Sequence, residues 1–298
     1  MEVFPLLWLN LLLALGGILG LAYIVACLFL LFRQNRFIFR PSTIIKATPA
    51  ALDLNYQEVW LSVRAASGKK NPIHCWWMPS TTANAKVWLY LHGNASNMGG
   101  NLHRAGQFNQ LGFSCLMLDY RGYGKSQGKF PTEYSTYEDV EAAWNYLTQV
   151  RQIPPEQILL YGHSLGGAIA IELATKHPEI SGLVVESSFT SILSMVNYIK
   201  QFRLFPVNFL LHQRFDSLRK VPLLQMPVLF LHGNADQVVP AYMSQTLFDE
   251  TPEPKKLLFV PKAGHQDAVE LAGAEYLHGL QWLIEQAQAR PLELAQHG

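Results

Sequence analysis

Charged residues and cysteines are scarce in this sequence. Charged residues make up 15% of its 298 positions and cysteines number three, whereas roughly 25% of an average soluble domain is charged. So few cysteines provide no disulfide framework. The hydrophobic content of 49% excludes intrinsic disorder, because disorder requires low hydrophobicity and high charge. Since 23 basic residues balance 22 acidic ones, we expect no nucleic-acid partner.

The shortage of charge is concentrated near the N-terminus. No charged residue occurs at positions 5–32, and Arg33 is the first basic residue. Residues 11–32 would form a helix about 33 Å long, which matches the hydrocarbon core of a bilayer. A cleaved signal peptide fits less well, because it has a basic leading region and a shorter apolar core. We therefore predict a transmembrane anchor at 1–32 and a second domain at 33–298.

The charges that flank this segment predict its orientation. Glu2 precedes it, and the residues that follow are basic at Arg33, Arg36, Arg40 and Lys46. The positive-inside rule keeps a basic flank in the cytoplasm. We therefore expect a single-pass membrane protein whose main domain is cytoplasmic.

Two features of the segment leave alternatives open. Ile24-Val25-Ala26-Cys27 resembles a bacterial lipobox, in which Cys27 would be lipidated, but an ordinary apolar helix also contains such residues. Gly16 and Gly20 form a G-x-x-x-G pair, which can bring two membrane helices together. Glycine is also common in single membrane helices, so the sequence leaves the oligomeric state undetermined.

Short apolar runs alternate with longer helical patterns through the rest of the chain. Strands are predicted at 59–63, 73–77, 87–91, 114–118, 157–161, 182–185, 228–231 and 257–260, and helices at 98–111, 136–150, 166–176, 241–249 and 268–288. The turn-rich segment 67–72 predicts a hairpin between the first two strands. The later runs are continuously apolar, which is typical of parallel strands covered on both faces. The fold class is therefore α/β, with a mostly parallel, doubly wound sheet.

Gly162-His163-Ser164-Leu165-Gly166 follows one predicted strand and opens a predicted helix. This is the G-x-S-x-G pattern of a nucleophile elbow, in which glycines allow a sharp turn that exposes the serine hydroxyl. In doubly wound sheets the site lies outside the carboxyl ends of the strands. Ser164 is therefore the candidate nucleophile.

A serine hydroxyl needs a base, and on this fold the chain order is serine, acid, histidine. Asp236 and His265 each follow a predicted strand in that order. His265 would accept the Ser164 proton, and Asp236 would hold the imidazole in the required tautomer. Taken singly, Asp236 also fits a helix-capping carboxylate and His265 a surface turn. Glu186 follows another predicted strand and is a rival for the acid.

The oxyanion of a tetrahedral intermediate needs two hydrogen-bond donors. One is predicted to be the backbone N–H of Leu165, immediately after the nucleophile. The other is expected in the loop after the strand at 87–91, with the N–H of Asn94 favoured over that of Ala95. The neighbouring His92 and His163 are interpreted as structural residues.

These motifs together resemble the α/β-hydrolase superfamily, and in particular its membrane-anchored abhydrolase-domain group. The resemblance covers about 85–285 and rests on H-G-N-A at 92–95, D-Y-R-G-Y-G-K-S at 119–126, G-H-S-L-G-G at 162–167, H-G-N-A-D-Q-V-V-P at 232–240 and G-H-Q-D at 264–267. It implies a serine hydrolase with a Ser-His-Asp triad. Some members of the group are acyl-protein thioesterases or lipid esterases, so the substrate partner expected is a lipid or an acylated small molecule or protein.

The expected function is hydrolysis of acyl esters or thioesters at a membrane, through an acyl-enzyme intermediate. A prolyl-oligopeptidase-like serine peptidase and a catalytically idle membrane adaptor are the alternatives. Residues 189–226 form an apolar insertion that fits either a short lid that lines an acyl pocket or an ordinary core helix. The scattered histidines and the lack of C-x-x-C lead us to expect no metal and no cofactor.

Overall fold

An eight-stranded sheet lies at the centre of the molecule. The computed structural model describes residues 3–64 and 70–290. The strands are β1 Gln57–Arg64, β2 Lys70–Met78, β3 Val87–Leu91, β4 Ser114–Leu118, β5 Ile158–His163, β6 Gly182–Glu186, β7 Val228–Gly233 and β8 Lys255–Val260. Their spatial order is β1-β2-β4-β3-β5-β6-β7-β8. Only β2 runs against its neighbours β1 and β4, and the other pairs are parallel. The prediction of a mostly parallel sheet is confirmed.

The first two strands form the predicted hairpin, with Val59 opposite Cys75. The turn expected at 67–72 falls partly outside the described residues, and its last three positions belong to β2. The β-branched and aromatic residues of these strands favour a pleated, half-buried surface.

The sheet order positions the site. The chain leaves β3 toward β4 on one side, while β5 lies on the other side of β3. The loops that follow β3 and β5 therefore diverge, and the crevice between them is where ligands bind in sheets of this kind. Every residue of these two strands is buried, as expected for strands covered on both faces.

Ten α-helices accompany the sheet in the described parts of the chain. They are α1 Val3–Ile38, α2 Leu102–Gln110, α3 Glu133–Asn145, α4 Leu165–Lys176, α5 Ile192–Ile199, α6 Val207–Leu210, α7 Ser217–Lys220, α8 Tyr242–Glu250, α9 Ala268–Ala272 and α10 Ala274–Ala289. Three expected helices differ from their predictions. The helix expected at 136–150 begins earlier, at Glu133, and its α-helical part ends at Asn145, after which Tyr146–Val150 forms a π-helix. The helix expected at 98–111 begins with a separate 3-10 turn at Met98–Gly100. The helix expected at 268–288 is divided at Gly273, where φ is +51° and the helical path is broken.

Helices cover both faces of the sheet, each over its own apolar core. The residues on one face include Val140 of α3, Ile169 of α4 and Met243 of α8. The other core includes Phe108 of α2 and Leu280 of α10. This two-sided burial explains why the central strands are continuously apolar.

The N-terminal helix α1 contains 36 residues, which corresponds to a length of about 54 Å. Its segment Leu7–Ile38 contains an 18-residue stretch with a mean hydropathy of 2.5 and is long and apolar enough to cross a membrane. The side chains at positions 7–25 are exposed. The helix continues six residues beyond the predicted end at Phe32, and its last two turns pack against the folded domain.

The insertion at 189–226 supplies that packing. It contains α5, α6, α7 and a 3-10 turn at Val221–Leu223. Gln34 of α1 joins the two segments: its Oε1 accepts the backbone N–H of His212 at 3.0 Å and that of Gln213 at 3.1 Å, and its Nε2 donates to the Leu210 carbonyl at 3.1 Å. Further along α1, the Tyr23 hydroxyl donates to the Leu204 carbonyl at 2.9 Å. The insertion is therefore built around the N-terminal helix.

Candidate active site

The turn from β5 into α4 is tight and holds Ser164 in a strained conformation. Ser164 has φ +55° and ψ −117°, a region that side-chain-bearing residues rarely adopt. Glycines make the turn possible, since a Cβ on Gly166 would lie 2.0 Å from the Leu91 carbonyl oxygen, and a Cβ on Gly162 would lie 2.3 Å from the Gly166 carbonyl oxygen. The G-x-S-x-G sequence therefore forms a true elbow between strand and helix.

The three residues expected to form a triad lie in contact. His265 Nε2 is 3.0 Å from Ser164 Oγ, and His265 Nδ1 is 2.7 Å from Asp236 Oδ2. The loops after β7 and β8 supply Asp236 and His265, so all three reach the same edge of the sheet. With a proton on Nδ1, the imidazole donates to the carboxylate and accepts the serine hydroxyl, which is the arrangement that activates a serine.

Asp236 receives several further hydrogen bonds. Its Oδ1 accepts the backbone N–H groups of Val238 at 2.7 Å and Val239 at 2.9 Å, and its Oδ2 lies 3.1 Å from His232 Nε2. Burial would raise the pKa of Asp236, but hydrogen bonds from His232, His265 and Val239 outweigh it and hold that pKa well below its usual range. The carboxylate is therefore ionised wherever the protein is folded near neutral pH.

Sequence reasoning missed His232 as a partner of the acid. Its Nδ1 lies 2.6 Å from the Ser244 hydroxyl and its Nε2 lies 3.0 Å from the Val239 carbonyl. A proton on Nε2 satisfies the Val239 carbonyl and the carboxylate together, while Ser244 donates to Nδ1. The available signal was its place four residues before Asp236, at the end of a predicted strand.

Glu186, the rival acid, is engaged elsewhere. Its two carboxylate oxygens accept Arg104 Nη2 at 2.6 Å and the Tyr161 hydroxyl at 2.7 Å. Burial would raise the pKa of Glu186, but the adjacent guanidinium outweighs it and keeps that pKa below its usual range. The histidine at the site contacts Asp236, and the geometry gives Glu186 a structural position under the elbow.

The buried ion pair of Arg104 with Glu186 was also missed. Arg104 lies on α2 only four residues before the core residue Phe108, so both project from the same helix face. A cation on an apolar helix face requires a buried partner. That placement was the signal that a carboxylate lay beneath.

The histidines beside the site have structural contacts. His163 Nε2 lies 2.9 Å from the His265 carbonyl oxygen, which fixes the backbone that carries the base. Burial lowers the pKa of His163, so the neutral ring is the favoured form. His92 is fully buried, with its ring 4.5 Å from that of Tyr120 and Nδ1 2.7 Å from the Gly93 carbonyl oxygen.

In the loop after β3, both the side-chain oxygen and the side-chain nitrogen of Asn94 form hydrogen bonds. The Oδ1 atom accepts the Arg40 N–H at 2.8 Å, the Ala95 N–H at 2.9 Å and the Tyr123 hydroxyl at 2.8 Å. The Nδ2 atom donates to the carbonyl oxygen of Ile38 at the end of α1. The side chain therefore ties the loop to the N-terminal helix.

The same contacts distinguish the candidate oxyanion donors. The backbone N–H of Ala95 donates to the Asn94 side chain and is therefore not free to bind an oxyanion. Within residues 3–64 and 70–290, the backbone N–H groups of Asn94 and Leu165 have no acceptor on the protein. Leu165 is the first residue of α4, where backbone donors face outward and the helix dipole favours negative charge.

Replacing Asn94 by Ala keeps the backbone N–H but removes the four side-chain bonds that position it. We expect kcat for a short ester to fall about 10- to 100-fold, because misplaced oxyanion donors lose much of their effect. Steady-state kinetics of the purified variant measure this. Tyr123→Phe removes one of the four bonds and should lose less, and an Asn94→Ala enzyme with normal kcat would contradict the positioning role.

Known proteins with similar sequences and folds agree with this architecture. A family model described as serine aminopeptidase, S33, matches residues 82–212. The protein bem46 of Schizosaccharomyces pombe is 31% identical over 271 residues, which cover 85% of this chain and 87% of that protein. The α/β-hydrolase domain-containing protein WAV2 of Arabidopsis thaliana is 29% identical over 254 residues, covering 78% and 79%.

Among solved structures, the Pyrococcus furiosus esterase Pf2001 superposes with a TM-score of 0.68 at 18% identity, covering 83% of this chain and 97% of that one. A likeness at this identity establishes the fold. With its elbow, sheet order and sequence relatives, the chain belongs to the α/β-hydrolase superfamily, which confirms the resemblance seen in its motifs.

Proposed function

We propose that this α/β hydrolase is a membrane-anchored serine hydrolase that cleaves acyl esters or thioesters. The observation that carries the proposal is the unbroken chain of contacts from Ser164 Oγ through His265 to Asp236, at 3.0 and 2.7 Å. A serine becomes nucleophilic when a base within hydrogen-bond reach is itself oriented by a third group.

The reaction proceeds through an acyl-enzyme. Ser164 Oγ attacks the acyl carbonyl while His265 Nε2 takes its proton, and the same proton then passes to the leaving alcohol or thiol. Water, deprotonated by His265, releases the acid and restores the serine. Asp236 remains ionised and stabilises the imidazolium. The N–H groups of Leu165 and Asn94 hold the oxyanion of each tetrahedral intermediate.

The membrane attachment is proposed from α1. Its apolar side chains are exposed to solvent, and a lipid bilayer would bury them. The basic residues Arg33, Arg36 and Arg40 follow the apolar run. By the positive-inside rule the hydrolase domain then lies in the cytoplasm. The helix is held against the folded domain through Gln34, which supports a retained anchor over a cleaved signal sequence.

A serine peptidase is the second candidate, favoured by the description of the matching family model. An aminopeptidase needs an anionic group for the free α-ammonium of its substrate. Asp236 and Glu186, the two acids considered for the triad, are both paired with histidine, arginine or tyrosine partners. This pairing favours ester over aminopeptide hydrolysis.

Fluorophosphonate labelling of membranes that contain the protein tests the proposal. We expect labelling of the wild type and its loss in Ser164→Ala and His265→Ala, because the probe reacts only with an activated serine. Ser62→Ala, an exposed serine on β1, is the matched control and should label normally. Failure of the folded wild type to label, or labelling of Ser164→Ala, would overturn the proposal and favour an idle adaptor.

A separate, unlabelled sample of the wild-type enzyme is then assayed on p-nitrophenyl esters and on peptide p-nitroanilides. Faster turnover of the esters supports the esterase assignment. Faster turnover of an aminopeptide substrate would replace it with the peptidase.

A further inference from the structure

An apolar cavity lies between the last turns of α1 and the insertion at 189–226. About 460 Å³ of empty space lies between these two segments, a volume that includes the open solvent at its mouth. One wall is formed by Leu30, Phe37 and Ile38 of α1, and the facing wall by insertion residues that include Ile192, Val196 and Phe202.

Gln34 is the one polar side chain in the cavity lining, and it has no capacity left for a ligand. Its oxygen accepts two backbone N–H groups and its nitrogen donates to the Leu31 and Leu210 carbonyls, at 2.9 and 3.1 Å. Water gains little in a cavity without free polar partners, whereas hydrocarbon gains by burial. The lining therefore selects an apolar ligand group.

Residues in both walls are connected to the segment around Ser164 by short chains of contacts. On one side, the Ile38 carbonyl accepts the Asn94 amide, and the preceding Gly93 is so close to the elbow that a Cβ on it would lie 3.1 Å from Ser164 Cβ. On the other side, Ile192 follows four residues after Ser188, whose hydroxyl donates to the Ser164 carbonyl at 2.9 Å. Residues that line the cavity are thus connected through these hydrogen bonds to the loop after β3 and to the elbow.

The insertion that lines the cavity also reaches the level of α1 at which a bilayer would end. The insertion reaches up the helix as far as Tyr23, whose ring stacks on Phe205 at 5.7 Å. Residues 3–22 remain beyond this contact and span about 30 Å, the thickness of a hydrocarbon core. Next to the contact, Leu204 is 84% exposed and Phe209 is 89% exposed, as suits side chains that meet lipid.

We propose that this cavity binds the hydrocarbon chain of the substrate acyl group, admitted from the bilayer alongside α1. The inference rests on the proposed serine-hydrolase function and specifies its substrate as a long-chain acyl ester or thioester. The N-terminal helix is then one wall of the acyl site as well as the anchor.

Filling the cavity tests the proposal. In Val196→Trp the larger side chain occupies the space, so we expect the ratio of kcat/KM for p-nitrophenyl dodecanoate to that for the butyrate to fall by about tenfold or more, measured in one detergent. Val150→Trp, at a surface site that is 70% exposed and outside the cavity, is the matched control and should keep the wild-type ratio.

A second variant protects the test against misfolding. Phe202→Ala enlarges the cavity and should raise the same ratio, or extend hydrolysis to longer chains. The labelling rates of long- and short-chain alkyl fluorophosphonates give an independent measure, and they should shift in the same directions.

The outcomes separate the two proposals. If the wild type hydrolyses neither ester, the serine-hydrolase function fails. If it hydrolyses butyrate but both cavity variants keep the wild-type chain-length ratio, the function stands and the acyl site is refuted. A ratio that falls in Val196→Trp and rises in Phe202→Ala supports the acyl site.

Discussion

Asp236→Asn is expected to lower kcat by about 10⁴-fold with little change in the fold. The amide has the shape of the carboxylate, and its oxygen still accepts the backbone N–H groups of Val238 and Val239. Its NH₂ group, however, faces His265 Nδ1 and forces that atom to accept. The imidazole proton then moves to Nε2, which points at Ser164 and can no longer take its proton.

Stopped-flow or steady-state hydrolysis of a short ester measures the loss, with circular dichroism to confirm folding. Asp249→Asn is the matched control: this exposed carboxylate accepts a hydrogen bond from the Gln245 side chain, and its loss should leave kcat unchanged. A decrease of less than about tenfold in Asp236→Asn would mean that another group orients the base.

Arg104→Met is expected to destabilise the protein by about 3–5 kcal/mol. The substitution leaves the Glu186 carboxylate fully buried beneath the elbow with only the Tyr161 hydroxyl as a close partner. An uncompensated charge in that position is far more costly than a lost surface ion pair. The midpoint of thermal unfolding should fall by on the order of 10 °C.

A double variant isolates the cause. Arg104→Met with Glu186→Leu removes both charges and should recover most of the lost stability, since apolar residues often replace a buried pair without cost. Lys125→Met breaks the exposed pair with Glu58 and should cost under about 1 kcal/mol. Equal losses in Arg104→Met and Lys125→Met would show that burial of the pair contributes nothing.

The sequence predicts the parts of this molecule that follow from local pattern. Short apolar runs located all eight strands, and the elbow motif located Ser164, because periodicity and glycine placement act over a few residues. The structure also brings Asp236 and His265 together as predicted from their order along the chain. Their catalytic roles remain predictions until they are measured.

The features that were missed depend on contacts between distant positions. Arg104 and Glu186 are 82 residues apart, and Gln34 and His212 are 178 residues apart. A hydrophobic pattern records that a helix face is apolar but not which partner covers it. For that reason the sequence predicted a transmembrane segment that ends at Phe32, although the last turns of α1 pack against the insertion.

The hydrogen bonds of the Asn94 side chain couple the order of α1 to the order of the loop after β3. The Ile38 carbonyl at the end of α1 and the Arg40 N–H just after it are both hydrogen-bonded to Asn94. Part of the free energy that orders the helix end therefore also orders the loop. Coupling of this kind is reciprocal. If α1 is a membrane anchor as proposed, lipid that holds it more firmly against the insertion is expected to order the loop as well, and a transition-state analogue that orders the loop is expected to strengthen the packing of the helix.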